Sequence, residues 1–138
     1  RIIALKTAAL FQAAAEVGAR SAGASERQTD ALKQYGYNVG LAFQIIDDIL
    51  DIVGDEEKLG KTAGIDLDQG RGFGAVGNEE DPVESVKRKL LEGDRLQRAR
   101  ERAQMLSEMA VGALSALPDT PAKDELIALA EAVVNRDS

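Results

Sequence analysis

Four polar side chains form a single stripe within an otherwise apolar stretch of this sequence. The stretch covers residues 39–53, V-G-L-A-F-Q-I-I-D-D-I-L-D-I-V, and its polar members are Gln44, Asp47, Asp48 and Asp51. Spacings of three, four and seven residues put all four on one face of an α-helix. Three carboxylates within one turn repel one another and lose hydration beside apolar walls, so a cation should compensate them. Mg²⁺ suits oxygen ligands and shares its shell with phosphate oxygens, so the stripe predicts a divalent cation together with phosphate.

A solvated acidic face on a surface helix is the main alternative for this stripe. It would be favoured for Asp-Asp-x-x-Asp by itself, because charged helix faces are common. The flanking apolar residues argue against it, since they predict burial on most sides and carboxylates inside a cavity. A calcium-binding EF-hand is excluded, because Glu56 stands where its loop needs glycine. The flanking apolar residues are Phe43, Ile45, Ile46, Ile49, Leu50, Ile52 and Val53.

Composition excludes several other classes of site. None of the 138 residues is Cys or His, which removes disulfides, thiolate and imidazole metal ligands, and Ser-His-Asp catalysis. The net charge of −7 argues against nucleic acid as the main partner. The acidity is local: residues 47–84 carry 12 acidic and three basic side chains, a net of −9, against +2 for the remainder. The lack of cysteine fits a reducing compartment, and we expect a cytoplasmic protein.

The elements that carry the stripe are predicted to be helices. Residues 2–20 form an Ala/Leu-rich helix, and a second helix extends from residue 26 to residue 53, where Gly54 would act as its C-terminal cap. Gly36 and Gly40 share one face of this second helix, which predicts that a neighbouring helix packs closely against them.

The second half of the sequence predicts two further helices. Residues 60–78 are glycine-rich and irregular, and Asp81 and Pro82 then begin a long helix. This helix carries an apolar seam that could face the core or a second subunit. The seam is Leu96, Ala99, Ala103, Leu106, Ala110, Ala113 and Leu117.

Pro118 ends the long helix, and Thr120 with Pro121 begins a last one. The buried face of the last helix is predicted as Leu126, Leu129, Ala130 and Val133. Since no stretch has a strand pattern, the predicted fold is an all-α helical bundle.

The aspartate stripe and its surroundings closely resemble the trans-prenyl diphosphate synthases. The resemblance is carried by residues 40–55, followed by L-G-K-T-A-G-I-D-L at 59–67. Within them Asp47-Asp48-x-x-Asp51 resembles the family's second aspartate-rich motif, and Lys6-Thr7 resembles its Lys-Thr pair. Residues 113–130 resemble the tail of bacterial members. The resemblance implies a helical bundle of the isoprenoid synthase type. It also implies an enzyme that condenses an allylic diphosphate head to tail with isopentenyl diphosphate after Mg²⁺-assisted ionisation, and a homodimer is expected.

The resemblance also implies a role for each matching residue. Asp47 would be a direct Mg²⁺ ligand, with Asp48 and Asp51 binding through water or bracing the site. Lys6 and the Thr7 oxygen would face the diphosphate and the cation, and Lys61 would hold the allylic diphosphate. Gln44 would help to orient the side of the site that faces the diphosphate. Arg71 would replace a lysine of the family pattern.

Simpler interpretations of these side chains remain open. Lys6 could extend from its helix towards water, Gln44 could satisfy a backbone group, and Lys61 could be a loop charge near the acidic residues. By contrast, Gly72-x-Gly74-x-x-Gly77 follows no strand and opens no helix, so it does not predict a dinucleotide site.

Two departures from the family pattern indicate an incomplete domain. The sequence has no second Asp-Asp-x-x-Asp, and Gly70 is followed by R-G-F-G-A-V-G-N instead of a helix that begins Lys-x-Thr-Leu-Pro. We therefore expect residues 1–138 to be the C-terminal part of one synthase domain, with a segment missing near residues 70–72. A non-catalytic subunit of a heteromeric synthase is the alternative function, and a structural bundle with a fortuitous acidic stripe is a further one.

Overall fold

The computed structural model describes residues 2–69 and 82–136, with side chains for residues 5–54, 83 and 86–136. Within these ranges the secondary structure is entirely helical, which confirms the all-α prediction. The helices are α1 (Ile2–Ser21), α2 (Glu26–Gln69), α3 (Pro82–Ala113) with a following 3₁₀ turn (Leu114–Ala116), and α4 (Pro121–Val134). None of the described helices is both long enough and apolar enough to cross a membrane.

A short connection with several backbone hydrogen bonds joins α1 to α2. Gly23 has φ +76°, a left-handed conformation that glycine adopts at little cost. Its amide donates to the Arg20 carbonyl and the Ala24 amide donates to the Ala19 carbonyl, the pair of bonds that closes a Schellman motif. Ser25 Oγ then accepts from the Gln28 amide at 3.1 Å, while Gln28 Oε1 accepts from the Ser25 amide at 3.0 Å. This reciprocal pair is a capping box, which fixes the first turn of α2.

Gly36 and Gly40 bring the backbones of α1 and α2 together, as their spacing predicts. A Cβ atom at Gly36 would lie 2.6 Å from the carbonyl oxygen of Phe11, and one at Gly40 would lie 2.8 Å from Cα of Ala8. Neither position has room for a side chain, so α1 is held against the same helix that carries the aspartates.

The predicted end of α2 at Gly54 is wrong, because the helix continues to Gln69. Gly54 lacks the positive φ of a C-terminal cap, a conformation that Gly23 does adopt. Glycine inside a helix costs only about 1 kcal/mol relative to alanine, so one glycine does not end a helix unless its neighbours also break the pattern. The first part of the predicted irregular zone, residues 60–69, is therefore helical, whereas residues 70–78 and the predicted cap Asp81 lie outside the described residues.

The core lies where α2 packs against α3 and α4. The predicted seam of α3 faces this core: Ala103, Leu106 and Ala110 are buried, while Ala113 is only partly covered. The α-helix ends at Ala113 and tightens into a 3₁₀ turn, which places Leu114 in the core at 0% exposure. The core residues are Tyr35, Val39, Ala42, Ile46, Ile49, Ala103, Leu106, Ala110, Leu114, Ala130 and Val133.

The last helix begins as predicted, with Thr120 as its N-cap and Pro121 in its first turn. Thr120 Oγ1 accepts from the Lys123 amide at 3.1 Å. Ala130 and Val133 are buried, whereas the prediction for Leu129 is wrong because half of that side chain is exposed.

Candidate functional site

The three aspartates of the stripe meet on one face of α2. One carboxylate oxygen each from Asp47, Asp48 and Asp51 lies within 4.8 Å of the other two. Opposite ligands of an octahedral Mg²⁺ ion stand about 4 Å apart, twice the metal–oxygen bond length. The limit of 4.8 Å is larger than this separation and leaves room for a water molecule between a carboxylate and the ion. The arrangement therefore fits a divalent cation that keeps part of its water shell.

The carboxylates face outwards, and the expectation of an enclosing cavity is wrong for the described residues. Asp48 and Asp51 are exposed and Asp47 is partly buried. Ile46 and Ile49, which alternate with them, are 1% and 2% exposed and turn into the core. The apolar part of the segment thus serves to bury α2 on its other sides, and the carboxylates remain open to water and to a ligand.

A hydrogen-bonded chain joins α1 to this stripe. The Thr7 hydroxyl donates to Gln44 Oε1 at 3.3 Å, and Gln44 Nε2 donates to Asp48 Oδ1 at 2.9 Å. Since Gln44 accepts on one side and donates on the other, its amide is oriented by the two contacts together. The structure therefore brings Thr7, Gln44 and the three aspartates together, although Thr7 comes from a different helix.

Among the described side chains, none of the three predicted basic residues is seen in contact with the aspartates. Lys6 is exposed, and its ammonium has no hydrogen bond or ion pair among the described residues. Lys61 belongs to α2, not to a loop, and lies ten residues after Asp51, about 15 Å further along the helix axis. The Lys61 side chain and the whole of Arg71 lie outside the described residues.

Sequence reasoning missed a fourth basic residue, Arg136, which does reach the stripe. Its Nη2 atom lies 3.8 Å from Asp47 Oδ1, and its Cζ atom lies 4.4 Å from the centre of the Phe43 ring. Nothing in the local sequence V-V-N-R-D-S indicates this contact, because it joins residues 89 positions apart and depends on how α4 packs. The guanidinium of Arg136 thus offsets part of the repulsion among the three aspartates.

Two buried hydrogen bonds fix α4 against the rest of the molecule. The Tyr35 hydroxyl donates to the Leu126 carbonyl at 2.7 Å, and the Ser107 hydroxyl donates to the Ala130 carbonyl at 2.9 Å. Burial raises the pKa of Tyr35 to about 12, so this phenol stays protonated and able to donate into the alkaline range. Because Arg136 follows the end of α4 by two residues, these bonds determine where its side chain lies.

Comparison with known proteins matches this chain to one family. A family model described as polyprenyl synthetase matches residues 1–76. Octaprenyl diphosphate synthase of Escherichia coli (strain K12) is 35% identical over an alignment of 158 positions, which covers 99% of this chain and 49% of that protein. Geranylgeranyl diphosphate synthase of Methanosarcina mazei is 33% identical over 150 residues, which cover 96% of this chain and 46% of that protein.

Solved structures show the same likeness. A decaprenyl diphosphate synthase from Rhodobacter capsulatus superposes with a TM-score of 0.68 at 34% identity, over 95% of this chain and 46% of that one. A heptaprenyl diphosphate synthase from Staphylococcus aureus gives a TM-score of 0.69 at 25% identity, over 96% and 48%. The chain spans about half the length of the curated relatives it matches.

Proposed function

Because this chain belongs to the polyprenyl synthetase family, we propose that it works as part of a polyprenyl diphosphate synthase. Its fold is the all-α fold of that family's solved members. The proposed reaction is the head-to-tail condensation of an allylic diphosphate with isopentenyl diphosphate. The observation that carries the proposal is the group of three carboxylate oxygens within 4.8 Å of one another on α2.

The proposed chemistry assigns the stripe to the departing diphosphate. Asp47, Asp48 and Asp51 would hold Mg²⁺, which when bound offsets the negative charge that develops on a leaving diphosphate. Cleavage of the carbon–oxygen bond leaves an allylic carbocation. The double bond of isopentenyl diphosphate then forms the new carbon–carbon bond, a proton is lost, and the chain is longer by five carbons.

The remaining residues of the site are proposed to orient the aspartates and to bind the diphosphate. Gln44 holds the Asp48 carboxylate through its 2.9 Å hydrogen bond, and Thr7 holds Gln44 in turn. The exposed ammonium of Lys6, one residue before Thr7 on α1, is free to meet a diphosphate. Lys61 and Arg71 are proposed as further diphosphate-binding residues on the resemblance to the family alone.

The proposed domain organisation is that the chain forms part of one synthase domain. It is supported by the share of the Escherichia coli and Methanosarcina mazei relatives that the chain covers, 49% and 46%. The alignment with the Escherichia coli relative also runs over 158 positions, 20 more than the 138 residues of this chain, as expected if a segment is missing near residues 70–72.

A homodimer is the proposed assembly. Apolar side chains on the first half of α3 support it, since Val86, Leu90 and Leu91 are 56%, 68% and 60% exposed and such surface is usually covered by other protein. Sedimentation equilibrium of the full protein should give twice the mass of one chain, and a monomer or a mixed complex with another chain would contradict this assembly.

The decisive experiment compares Asp47→Asn with Asp30→Asn in the full protein. Both substitutions remove one carboxylate charge from α2, but Asp30 is exposed and lies 17 residues earlier, about 25 Å away along the helix. Incorporation of labelled isopentenyl diphosphate with Mg²⁺ and an allylic diphosphate should fall about 100-fold or more in Asp47→Asn. It should remain unchanged in Asp30→Asn. Full turnover by Asp47→Asn would refute the assignment.

A further inference from the structure

Arg136 makes three different contacts with one turn of α2. Its guanidinium stacks over the Phe43 ring with Cζ 4.4 Å from the ring centre, and Nη2 donates to the Phe43 carbonyl at 3.4 Å. The same Nη2 atom lies 3.8 Å from Asp47 Oδ1. Residues 43 and 47 are successive positions on one helix face, so the planar guanidinium spans a single turn.

The surroundings of Arg136 screen its charge less than water screens that of a fully exposed arginine. Only 30% of its side chain is exposed, and its Nε atom is buried with no hydrogen-bond partner among the described residues. A charge with reduced access to water is screened less, so it interacts more strongly with a neighbouring charge. The Phe43 ring is itself held by the ring of Phe11, 5.6 Å away between centroids, which keeps the stacking surface in place.

The end of α4 also fixes the position of Arg136. The Asn135 amide and side chain both donate to the Glu131 carbonyl, at 3.3 Å and 2.9 Å, and close the end of that helix. Tyr35 and Ser107 fix α4 to α2 and α3. The packing of α4 therefore determines that the guanidinium lies beside Asp47.

We propose that Arg136 is a positioning residue that holds the Asp47 carboxylate and competes with a divalent cation for it. This inference rests on the proposed function, in which Asp47 binds metal. The guanidinium offsets the repulsion among the three aspartates when no metal is present, so the stripe keeps its geometry. A divalent cation that binds at Asp47 then comes close to a fixed positive charge, which lowers the affinity of the site for the metal alone.

The test measures the binding of Mn²⁺ alone to the metal-free full protein, by the loss of the free-ion electron paramagnetic resonance signal. Arg136→Gln removes the charge, and we expect it to tighten Mn²⁺ binding by roughly threefold to tenfold at moderate salt, as a Coulomb estimate partly screened by water and salt gives. Arg136→Lys keeps the charge and should stay close to wild type. Arg27→Gln is the matched control, because Arg27 is exposed on α2 and lies 20 residues before Asp47, about 30 Å away along the helix.

The variant Asp47→Asn separates this inference from the proposed function. It should weaken Mn²⁺ binding, and adding Arg136→Gln to it should tighten binding by less than Arg136→Gln does alone, since the carboxylate for which the two cations compete is gone. If Asp47→Asn weakens binding but Arg136→Gln leaves it unchanged or weaker, this inference is wrong and the proposed function stands. If Asp47→Asn does not alter Mn²⁺ binding at all, the metal assignment fails and the inference fails with it.

Discussion

The hydroxyl of Tyr35 on α2 donates a 2.7 Å hydrogen bond to the carbonyl oxygen of Leu126 on α4. The ring is 4% exposed and lies in the core. This bond joins the helix that carries the aspartates to the helix that carries Arg136, so it links the stability of the molecule to the geometry of the site.

The first prediction concerns how the ionisation of this phenol changes the stability of the protein at alkaline pH. Burial raises the pKa of Tyr35 from the ordinary phenol value of 10.0 to about 12, so the unfolded chain loses this proton at a lower pH than the folded chain does. The free energy of unfolding should therefore decrease as pH rises from about 10 to about 12. Urea titrations across this range should show a smaller decrease in Tyr35→Phe, which has no phenol to ionise.

Tyr37→Phe is the matched control, because it removes a phenol two residues away and leaves the bond between Tyr35 and Leu126 in place. At neutral pH Tyr35→Phe should lose about 1 kcal/mol, the usual net value of one hydrogen bond. An alkaline decrease in Tyr35→Phe as steep as in wild type would show that another group causes it.

The second prediction uses the close approach of α1 to α2. Gly36→Ala would place a Cβ atom 2.6 Å from the backbone oxygen of Phe11, so one helix must shift. Overpacking of this kind costs about 1–3 kcal/mol, and a backbone neighbour cannot rotate away, so we expect a value near the upper end. The free energy of unfolding from urea titration is the measurement.

Gly18→Ala is the control for helix propensity. Gly18 lies within α1, and a Cβ there would meet nothing within 4 Å. Replacing a helical glycine with alanine in open space should stabilise the protein by about 0.5–1 kcal/mol. Opposite signs for the two substitutions are expected, and equal effects would contradict the close approach of the helices.

The third prediction concerns the capping box that begins α2. Ser25→Ala removes the hydroxyl that accepts from the Gln28 amide, and loss of an N-cap costs about 1 kcal/mol. Ser25→Asp keeps an acceptor and adds a charge that favours the positive end of the helix, so it should retain most of the stability. Thermal unfolding of both variants tests the pair. No loss in Ser25→Ala would show that the cap contributes nothing, and an equal loss in both would show that a carboxylate does not replace the hydroxyl.

The local pattern of the sequence predicts most of the helices and the aspartate stripe. Periodicity identifies the seam at Ala103, Leu106 and Ala110, and the spacing of the carboxylates places them on one face, because both follow directly from 3.6 residues per turn. The Ser-x-x-Gln spacing of Ser25 and Gln28 is also a local signal, typical of a capping box.

Features that depend on packing between distant segments could not be predicted. Arg136 reaches Asp47 only because Tyr35 and Ser107 fix α4, and no local pattern encodes that contact. The end of α2 was misplaced for a related reason: Gly54 signals a cap only if its φ is positive, and the sequence does not determine which of the two conformations glycine adopts.

The fourth prediction tests the hydrogen-bonded chain that crosses from α1 to the aspartates. Thr7→Val keeps the shape of the side chain but removes the hydroxyl that donates to Gln44 Oε1. Gln44 is then oriented only through its contact with Asp48, and losing one such hydrogen bond is worth about 1–1.5 kcal/mol. Under the proposed function we expect kcat/KM for prenyl transfer to fall about tenfold, since 1.4 kcal/mol corresponds to a factor of ten. Thr7→Ser retains the hydroxyl and should stay within about twofold of wild type. If Thr7→Ser loses as much activity as Thr7→Val, the methyl group of Thr7 matters and the hydroxyl does not orient Gln44.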